Sequence, residues 1–307
     1  MTMAPSDYTK HEYFNLTFPS QYVAQVELDR PKKLNSFTEP MFHSLGSIFR
    51  QLSTDPDVRV IVLTAAGERA FSAGLDVQSA SEGGPLAGGD VRDPARKAAK
   101  LRRHILELQH EVSAIEECEK PVIAALHGIS YGLAIDITTC CDVRLCSKDT
   151  RFAVKEVDIG LAADVGTLTR LPKTNVSMSW IKDICLTARD FNAEEALRVG
   201  FVSGVFESKQ TTLARALEIA KVIATKSPVA VQATKGVVNF SRDHSVADGR
   251  FRITETLRHF TLTGTRTQPH RGGEHGYAPD ARRAGRHACR HQENQTYIRE
   301  VVIHSYS

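Results

Sequence analysis

The stretch Pro121-Val122-Ile123-Ala124-Ala125-Leu126-His127-Gly128-Ile129-Ser130-Tyr131-Gly132-Leu133-Ala134-Ile135-Asp136 reads as an apolar strand over 121–126, a His-Gly break, and a helix. That helix opens at Tyr131 or Gly132 and runs to about Cys140. Outward from it, strands and helices alternate. Upstream, Ala24, Val26 and Leu28 alternate with Gln25 and Glu27 in a short strand ending at the turn Asp29-Arg30-Pro31. Met41, Leu45, Ile48, Phe49 and Leu52 then recur at helical spacing within 38–52, and 58–64 is a β-branched, buried strand. A glycine-containing loop over 65–74 and a Gly/Ser/Pro-rich connection over 79–93 lead into a long amphipathic helix from Pro94 to Cys118. Ile105, Leu108, Val112 and Ile115 give that helix one buried stripe.

Downstream, 143–146, 152–154 and 202–206 read as short strands, and 165–171, 177–186, 193–199, 213–224 and 228–239 as helices. The last begins with Ser227 as N-cap and Pro228 at the first helical position. This order predicts an α/β core followed by a helical C-terminal region.

At 307 residues, 41% of them hydrophobic and 24% charged, the chain can bury a substantial core. No run approaches the roughly 20 apolar residues that span a bilayer, and residues 1–14 lack the basic and apolar regions of a signal peptide. An intracellular protein without a membrane span is expected. Cys118, Cys140, Cys141, Cys146, Cys185 and Cys289 have no C-x-x-C spacing and lie mostly in apolar segments, which predicts reduced, buried thiols. The net charge of +3 is too small to argue for nucleic acid.

The charge is unevenly placed. Residues 250–307 hold ten Arg, no Lys, one Asp and four Glu, a net +5, so the rest carries −2. They also hold six of the twelve histidines, and this tail reads as poorly packed.

Three segments carry the chemistry: Ala70-Phe71-Ser72-Ala73-Gly74-Leu75-Asp76; His127-Gly128 leading to Gly132-Leu133-Ala134-Ile135-Asp136; and Lys155-Glu156-Val157-Asp158-Ile159-Gly160-Leu161-Ala162-Ala163-Asp164-Val165-Gly166. In this order and spacing, over roughly 15–248, they resemble the enoyl-CoA hydratase/isomerase (crotonase) family, and most nearly its dienoyl-CoA isomerases. The resemblance implies a ββα spiral core, an acyl-CoA thioester substrate, assembly as homotrimers or homohexamers, and neither a metal nor a cofactor beyond the coenzyme A of the substrate. It also implies that the amides of Leu75 and Leu133 bind the thioester oxygen. Amide donors suit that task, because removing a proton beside a thioester carbonyl puts negative charge on the oxygen. A helix starting near Gly132 adds its dipole, and Gly74 and Gly132 let the backbone come close. The competing reading is that both glycines only close turns.

Asp136, three residues after Leu133, falls on the same helix face; the alternative is a buried, hydrogen-bonded aspartate. Glu156 matches the family's catalytic glutamate; the alternative is a surface ion pair. Asp164 stands where hydratases commonly carry a small residue, and its alternative is an N-cap for 165–171. Moving two conjugated double bonds by removing a proton at C2 and returning one at C6 needs two acid/base groups, and Glu156 and Asp164 are the pair, with Asp136 tuning them. Mutual repulsion and apolar surroundings should raise at least one of the three pKa values. Lys32 and Lys33 are candidates for coenzyme A phosphates or plain solvated turn residues.

The sequence departs from the family twice, with Gly132-Leu133-Ala134 where three glycines are usual, and with the tail beyond about Gly249. A shifted reading frame and a genuine divergent tail are both open. The implied organisation is an N-terminal tail 1–14, a spiral core 15–205, a helical region 206–248 and the Arg/His-rich tail 249–307. Family resemblance places the protein in peroxisomal fatty acid β-oxidation, although the chain ends Ser305-Tyr306-Ser307 rather than in a Ser-Lys-Leu-like tripeptide; the other compartments are cytoplasm and mitochondrion. The rival functions are a 2-enoyl-CoA hydratase of a biosynthetic pathway and an inactive assembly subunit.

Overall fold

The computed structural model describes residue 8 and residues 10–82 and 93–250. Most of the Arg/His-rich tail, from 251 on, and Cys289 lie outside the described residues; its first two residues, 249 and 250, close a short helical stretch over 246–250.

Strands β1 (Phe14–Ser20), β2 (Val23–Leu28), β3 (Val60–Ala65), β5 (Val122–Leu126), β7 (Val143–Ser147) and β10 (Gly204–Phe206) form a six-stranded sheet in the order β1-β2-β3-β5-β7-β10. It is parallel except for the β1–β2 hairpin. Its residues alternate between two cores, as a period of two requires. Ile61, Leu63, Val122, Ala124 and Leu126 face the larger one, with α1 (Glu39–Thr54) and the C-terminal half of α3 (Pro94–Glu117). Val60, Val62, Ile123 and Ala125 face Ala216, Ala220 and Ala224 of α8 (Lys209–Ala224). Small residues on α8 let that helix lie close to the sheet.

A second sheet, β4-β6-β8-β9, consists of short strands: β4 (Ala70–Ser72), β6 (Ile129–Tyr131), β8 (Arg151–Ala153) and β9 (Phe191–Asn192). Each long strand β3, β5 and β7 steps directly into one of these, and helices such as α4 (Leu133–Thr139) follow. This is the ββα spiral. It brings the three sequence motifs together, because β4, β6 and β8 are parallel neighbours, with Ser72 opposite Ser130 after a register shift in β4 and Tyr131 opposite Ala153. Gly74, Gly132 and Glu156 therefore all emerge just past one edge of a three-strand array.

The small sheet is what sequence periodicity misses. β4 lies in the expected loop, β6 in the expected break, and β9 is two residues long. β1 also falls outside the expected elements, although Phe14, Leu16 and Phe18 alternate with polar residues. The helix expected over 165–171 is two short pieces, α5 (Thr167–Arg170) and a 3-10 turn at Leu171–Lys173, because Pro172 interrupts it. Helix α8 begins a turn earlier than its apolar residues suggest, where Ser208 and Thr211 form a capping box. Five cysteines are free and buried, as expected.

Candidate active site

The first amide arm is Gly74-Leu75-Asp76. Gly74 has φ +92°, and a Cβ there would stand 2.9 Å from the Tyr131 carbonyl and 3.4 Å from the Leu133 nitrogen. Glycine is thus required both by backbone sign and by close approach. The arm is pinned to the loop before α1: Phe37 N–H donates to the Gly74 carbonyl (2.8 Å) and Asp76 N–H to the Phe37 carbonyl (2.9 Å). Behind it sits Asn35, fully buried, whose amide donates to the carbonyls of Ala66 and Ala70 and whose Oδ1 accepts from Arg30 N–H. The Asn35 carbonyl accepts from Ser72 Oγ (2.8 Å), which in turn accepts from Gly74 N–H (3.1 Å). Asp76 pairs with Arg30 at 2.7 Å and accepts from Ser79 N–H, and its carboxyl is held below the ordinary carboxylate range by these partners against the opposing effect of burial. Arg30 and Asn35 escaped the sequence reading as site residues, their only local signal being a polar turn directly after a strand, and Asp76 entered it only as the last residue of the first motif, with no role assigned.

The second arm starts at Gly132 (φ +55°), whose N–H donates to the Ala153 carbonyl at 2.9 Å and which flanks the first turn of α4. Among the described residues neither the Leu75 nor the Leu133 amide donates to a protein acceptor. The expected glycine triplet is unnecessary, since the buried Leu133 side chain packs in the core.

Asp136 is buried on α4, and its Oδ1 accepts from Thr167 N–H at 2.6 Å. Its pKa is pushed up to about 6 by burial and by the charge of Asp164, against Thr167 and Arg170. Glu156 opens a 3-10 turn (Glu156–Ile159), with Oε1 3.2 Å from where a Gly132 Cβ would be and Oε2 buried without a partner among the described residues. Its pKa is pushed up to about 7 by burial, then by the charges of Asp136 and Asp164. Among the described residues Glu156 forms no ion pair, so the surface pair considered for it is not seen there. Asp164 has an exposed side chain, while its carbonyl accepts from Gln109 Nε2 on α3 at 2.6 Å. Its pKa is also raised, by partial desolvation. The N-cap considered for Asp164 is not formed, because Gly166 flanks α5 and Asp136 accepts the first N–H of that helix.

All seven residues, Gly74, Leu75, Gly132, Leu133, Asp136, Glu156 and Asp164, line one cavity of about 700 Å³. Its remaining wall is mostly apolar, from α1, the short α2 (Val77–Glu82), the exposed half of α3 and 159–165. The α3 stripe is therefore divided: Val112 and Ile115 are in the core, while Ile105 and Leu108 line the cavity. Lys32 and Lys33 sit on an exposed turn and do not line it. His127 is buried and kept neutral, its pKa pushed down to about 4, with Nε2 donating to the Gly67 carbonyl. It braces a loop rather than the site.

Comparisons with known proteins bear on the family and the fold. A family model described as enoyl-CoA hydratase/isomerase matches residues 19–268, running past residue 249, where the sequence resemblance was read to end. The mitochondrial delta(3,5)-delta(2,4)-dienoyl-CoA isomerase of Homo sapiens is 43% identical over 238 residues, 78% of this chain and 72% of the relative. The peroxisomal enzyme of that name from Arabidopsis thaliana is 41% identical over 227 residues, 74% and 81% of the two chains. The crystal structure of an enoyl-CoA hydratase from Bacillus anthracis superposes with a TM-score of 0.72 at 24% identity, over 83% of this chain and 92% of that one. That last likeness speaks to the fold alone.

Proposed function

The chain belongs to the enoyl-CoA hydratase/isomerase family, and from that premise we infer that it is an enzyme converting 3,5-dienoyl-CoA thioesters to their 2,4-dienoyl isomers. The observation that carries the reading is the meeting, in one largely apolar cavity, of two amide donors without an acceptor among the described residues and three carboxylates of raised pKa.

The thioester oxygen sits between the Leu75 and Leu133 N–H groups, which receive its charge as the dienolate forms; one such donor is worth roughly 10²–10³ in rate. Glu156 lies beside Gly132 and so reaches C2, next to the carbonyl. Half ionised near neutral pH, it removes the C2 proton. Asp164, on the far side of the 156–165 segment, gives a proton to C6. Each turnover leaves Glu156 protonated and Asp164 ionised, and the exposed Asp164 recovers its proton from solvent while Glu156 releases its own. Asp136 raises the pKa of Glu156 by its charge. Coenzyme A arrives with the substrate, and the chemistry needs no further cofactor.

The protein works as a homotrimer or homohexamer. Helix α9 (Pro228–Ser241) has no buried residue, and Val229 and Val238 are 45% and 63% exposed, as an interface helix would be. The relatives are named mitochondrial or peroxisomal, and of these the peroxisome is our assignment. Among the described residues no helix is long and apolar enough to cross a membrane.

The test is ultraviolet monitoring of purified protein with a 3,5-dienoyl-CoA, with 2-enoyl-CoA hydration alongside. Appearance of the conjugated 2,4-dienoyl thioester is expected. Hydration without isomerisation would move the protein to the hydratases.

A further inference from the structure

Leu101, His104, Ile105 and Leu108 of α3 face the cavity, at the three- and four-residue spacing of one helix face. Three of them are hydrocarbon. His104 is not, and the proton traffic has no use for it. Its side chain is 16% exposed, and its Nδ1 stands 3.7 Å from Oε1 of Glu39 at the start of α1. That gap exceeds hydrogen-bonding distance. Among the described residues the ring has no hydrogen-bond partner. Glu39 and Thr38 line the cavity as well.

The position along α3 matters. Gln109 holds the Asp164 carbonyl, and His104 lies five residues toward the helix N-terminus, about 7.5 Å along the axis at 1.5 Å per residue. The imidazole and Glu39 thus form a polar patch on the cavity wall, set off along α3 from the residue that holds Asp164.

We propose that His104 and Glu39 are a subsite for a hydroxyl group carried on the acyl chain, so that the enzyme prefers a hydroxylated dienoyl thioester to the plain hydrocarbon one. This rests on the isomerase reading. A hydroxyl set beside the two side chains, off the line that joins them, can accept from the ring N–H and donate to the carboxylate, bridging a pair too far apart to bond directly. A methylene at that place leaves the imidazole facing hydrocarbon with its polar atoms unmet. The pantetheine arm of coenzyme A carries hydroxyl and amide groups of the same chemistry, but it is common to every thioester and cannot create a preference among acyl chains.

The experiment compares kcat/KM for two 3,5-dienoyl-CoA thioesters of equal length, one hydroxylated several carbons beyond the diene. The wild type, His104→Leu and His104→Gln are each assayed. The wild type should favour the hydroxylated thioester about tenfold, the worth of one or two modest hydrogen bonds. His104→Leu should bring the ratio close to one, and His104→Gln, which keeps a donor and an acceptor, should retain most of it. A wild-type ratio near one overturns the proposal. So does a His104→Leu loss shared equally by both thioesters, which would mark a pantetheine contact. Calorimetric Kd values for the matching saturated thioesters, hydroxylated and plain, give the same ratio without turnover. Failure of both dienoyl thioesters to react would therefore count against isomerisation while the Kd ratio still decides the subsite. Should His104→Leu not fold, Glu39→Ala, on a half-exposed first turn, must lower the ratio too.

Discussion

The two ends of the cavity hold their acids in opposite ways. At the thioester end, Glu156 and Asp136 are enclosed, with one Glu156 oxygen buried and unpartnered and Asp136 tied to the start of α5. At the other end Asp164 keeps its backbone fixed by Gln109 while its side chain remains exposed. The enclosed end stores more electrostatic cost in the folded state than the open end, where only partial desolvation raises the Asp164 pKa. A base that must take a proton from carbon benefits from a raised pKa, whereas an acid that must be recharged from solvent benefits from access to water.

Glu156→Gln breaks the enclosed end and should have the largest effect. Loss of the general base should lower kcat by about 10³, with KM little changed. The same substitution should stabilise the protein above neutral pH. The folded pKa is raised, so the stability this group allows is fully present below the ordinary carboxylate range and is lost as pH rises through about 7. A neutral glutamine removes that penalty, by on the order of 2 kcal/mol. Denaturation at pH 8 and pH 4.5 would show it as a gain confined to the higher pH; an equal change at both would mean a packing effect instead.

Asp164→Ala addresses the open end. Isomerisation should fall about 10²-fold, while any 2-enoyl-CoA hydration persists, since that chemistry uses Glu156 and Asp136. Stability should change little at any pH, because the lost side chain is exposed. A loss of both activities together would show that Asp164 shapes the cavity rather than handling the C6 proton.

Gly74→Ala tests whether the enclosed end depends on the amide arm as well as on its acids. A Cβ 2.9 Å from the Tyr131 carbonyl, on a backbone with positive φ, must push the two arms apart. Activity should drop at least tenfold through kcat, up to the roughly 10² or more that one donor contributes. Binding of an unreactive saturated acyl-CoA, measured by calorimetry, should weaken much less. Equal loss of binding and rate would place the arm's value in ground-state affinity.

The contrast between the two ends also explains what was legible in the sequence. The large sheet and the long helices were readable because their residues repeat with a period of two or of 3.6 over many positions. The glycines, both amides and all three acids were readable because they sit in short fixed strings. The supports were not. Asn35, Arg30 and Gln109 act across 31 to 55 residues of chain, and a buried asparagine looks like any turn residue until its carbonyl partners are in place. Strands of two or three residues leave no period to detect, so β4, β6 and β9 were invisible although they align the motifs. Asp136 was placed correctly on the Leu133 face, yet its service to α5 had been considered for Asp164, because capping is usually sought in the adjacent sequence and here comes from another helix.

That service makes Asp136→Asn the gentlest probe of the enclosed end. An asparagine Oδ1 can still accept from Thr167 N–H, so the start of α5 should survive, while the charge next to Glu156 disappears. The charge of Asp136 is the second cause, after burial, of the raised Glu156 pKa. Removing it must lower that pKa, so the ascending limb of the kcat/KM profile, near pH 7 in the wild type, should move to lower pH. Burial is untouched, so the limb should stay above the ordinary carboxylate range, and the loss of maximal rate should be smaller than for either Glu156→Gln or Asp164→Ala. The limb belongs to coupled groups rather than to one residue, which is why the comparison of two whole profiles, not a single fitted value, is the measurement. A limb that stayed in place would mean that Asp136 is already neutral when Glu156 titrates; a shift to higher pH would mean that Asp136 delivers protons rather than field.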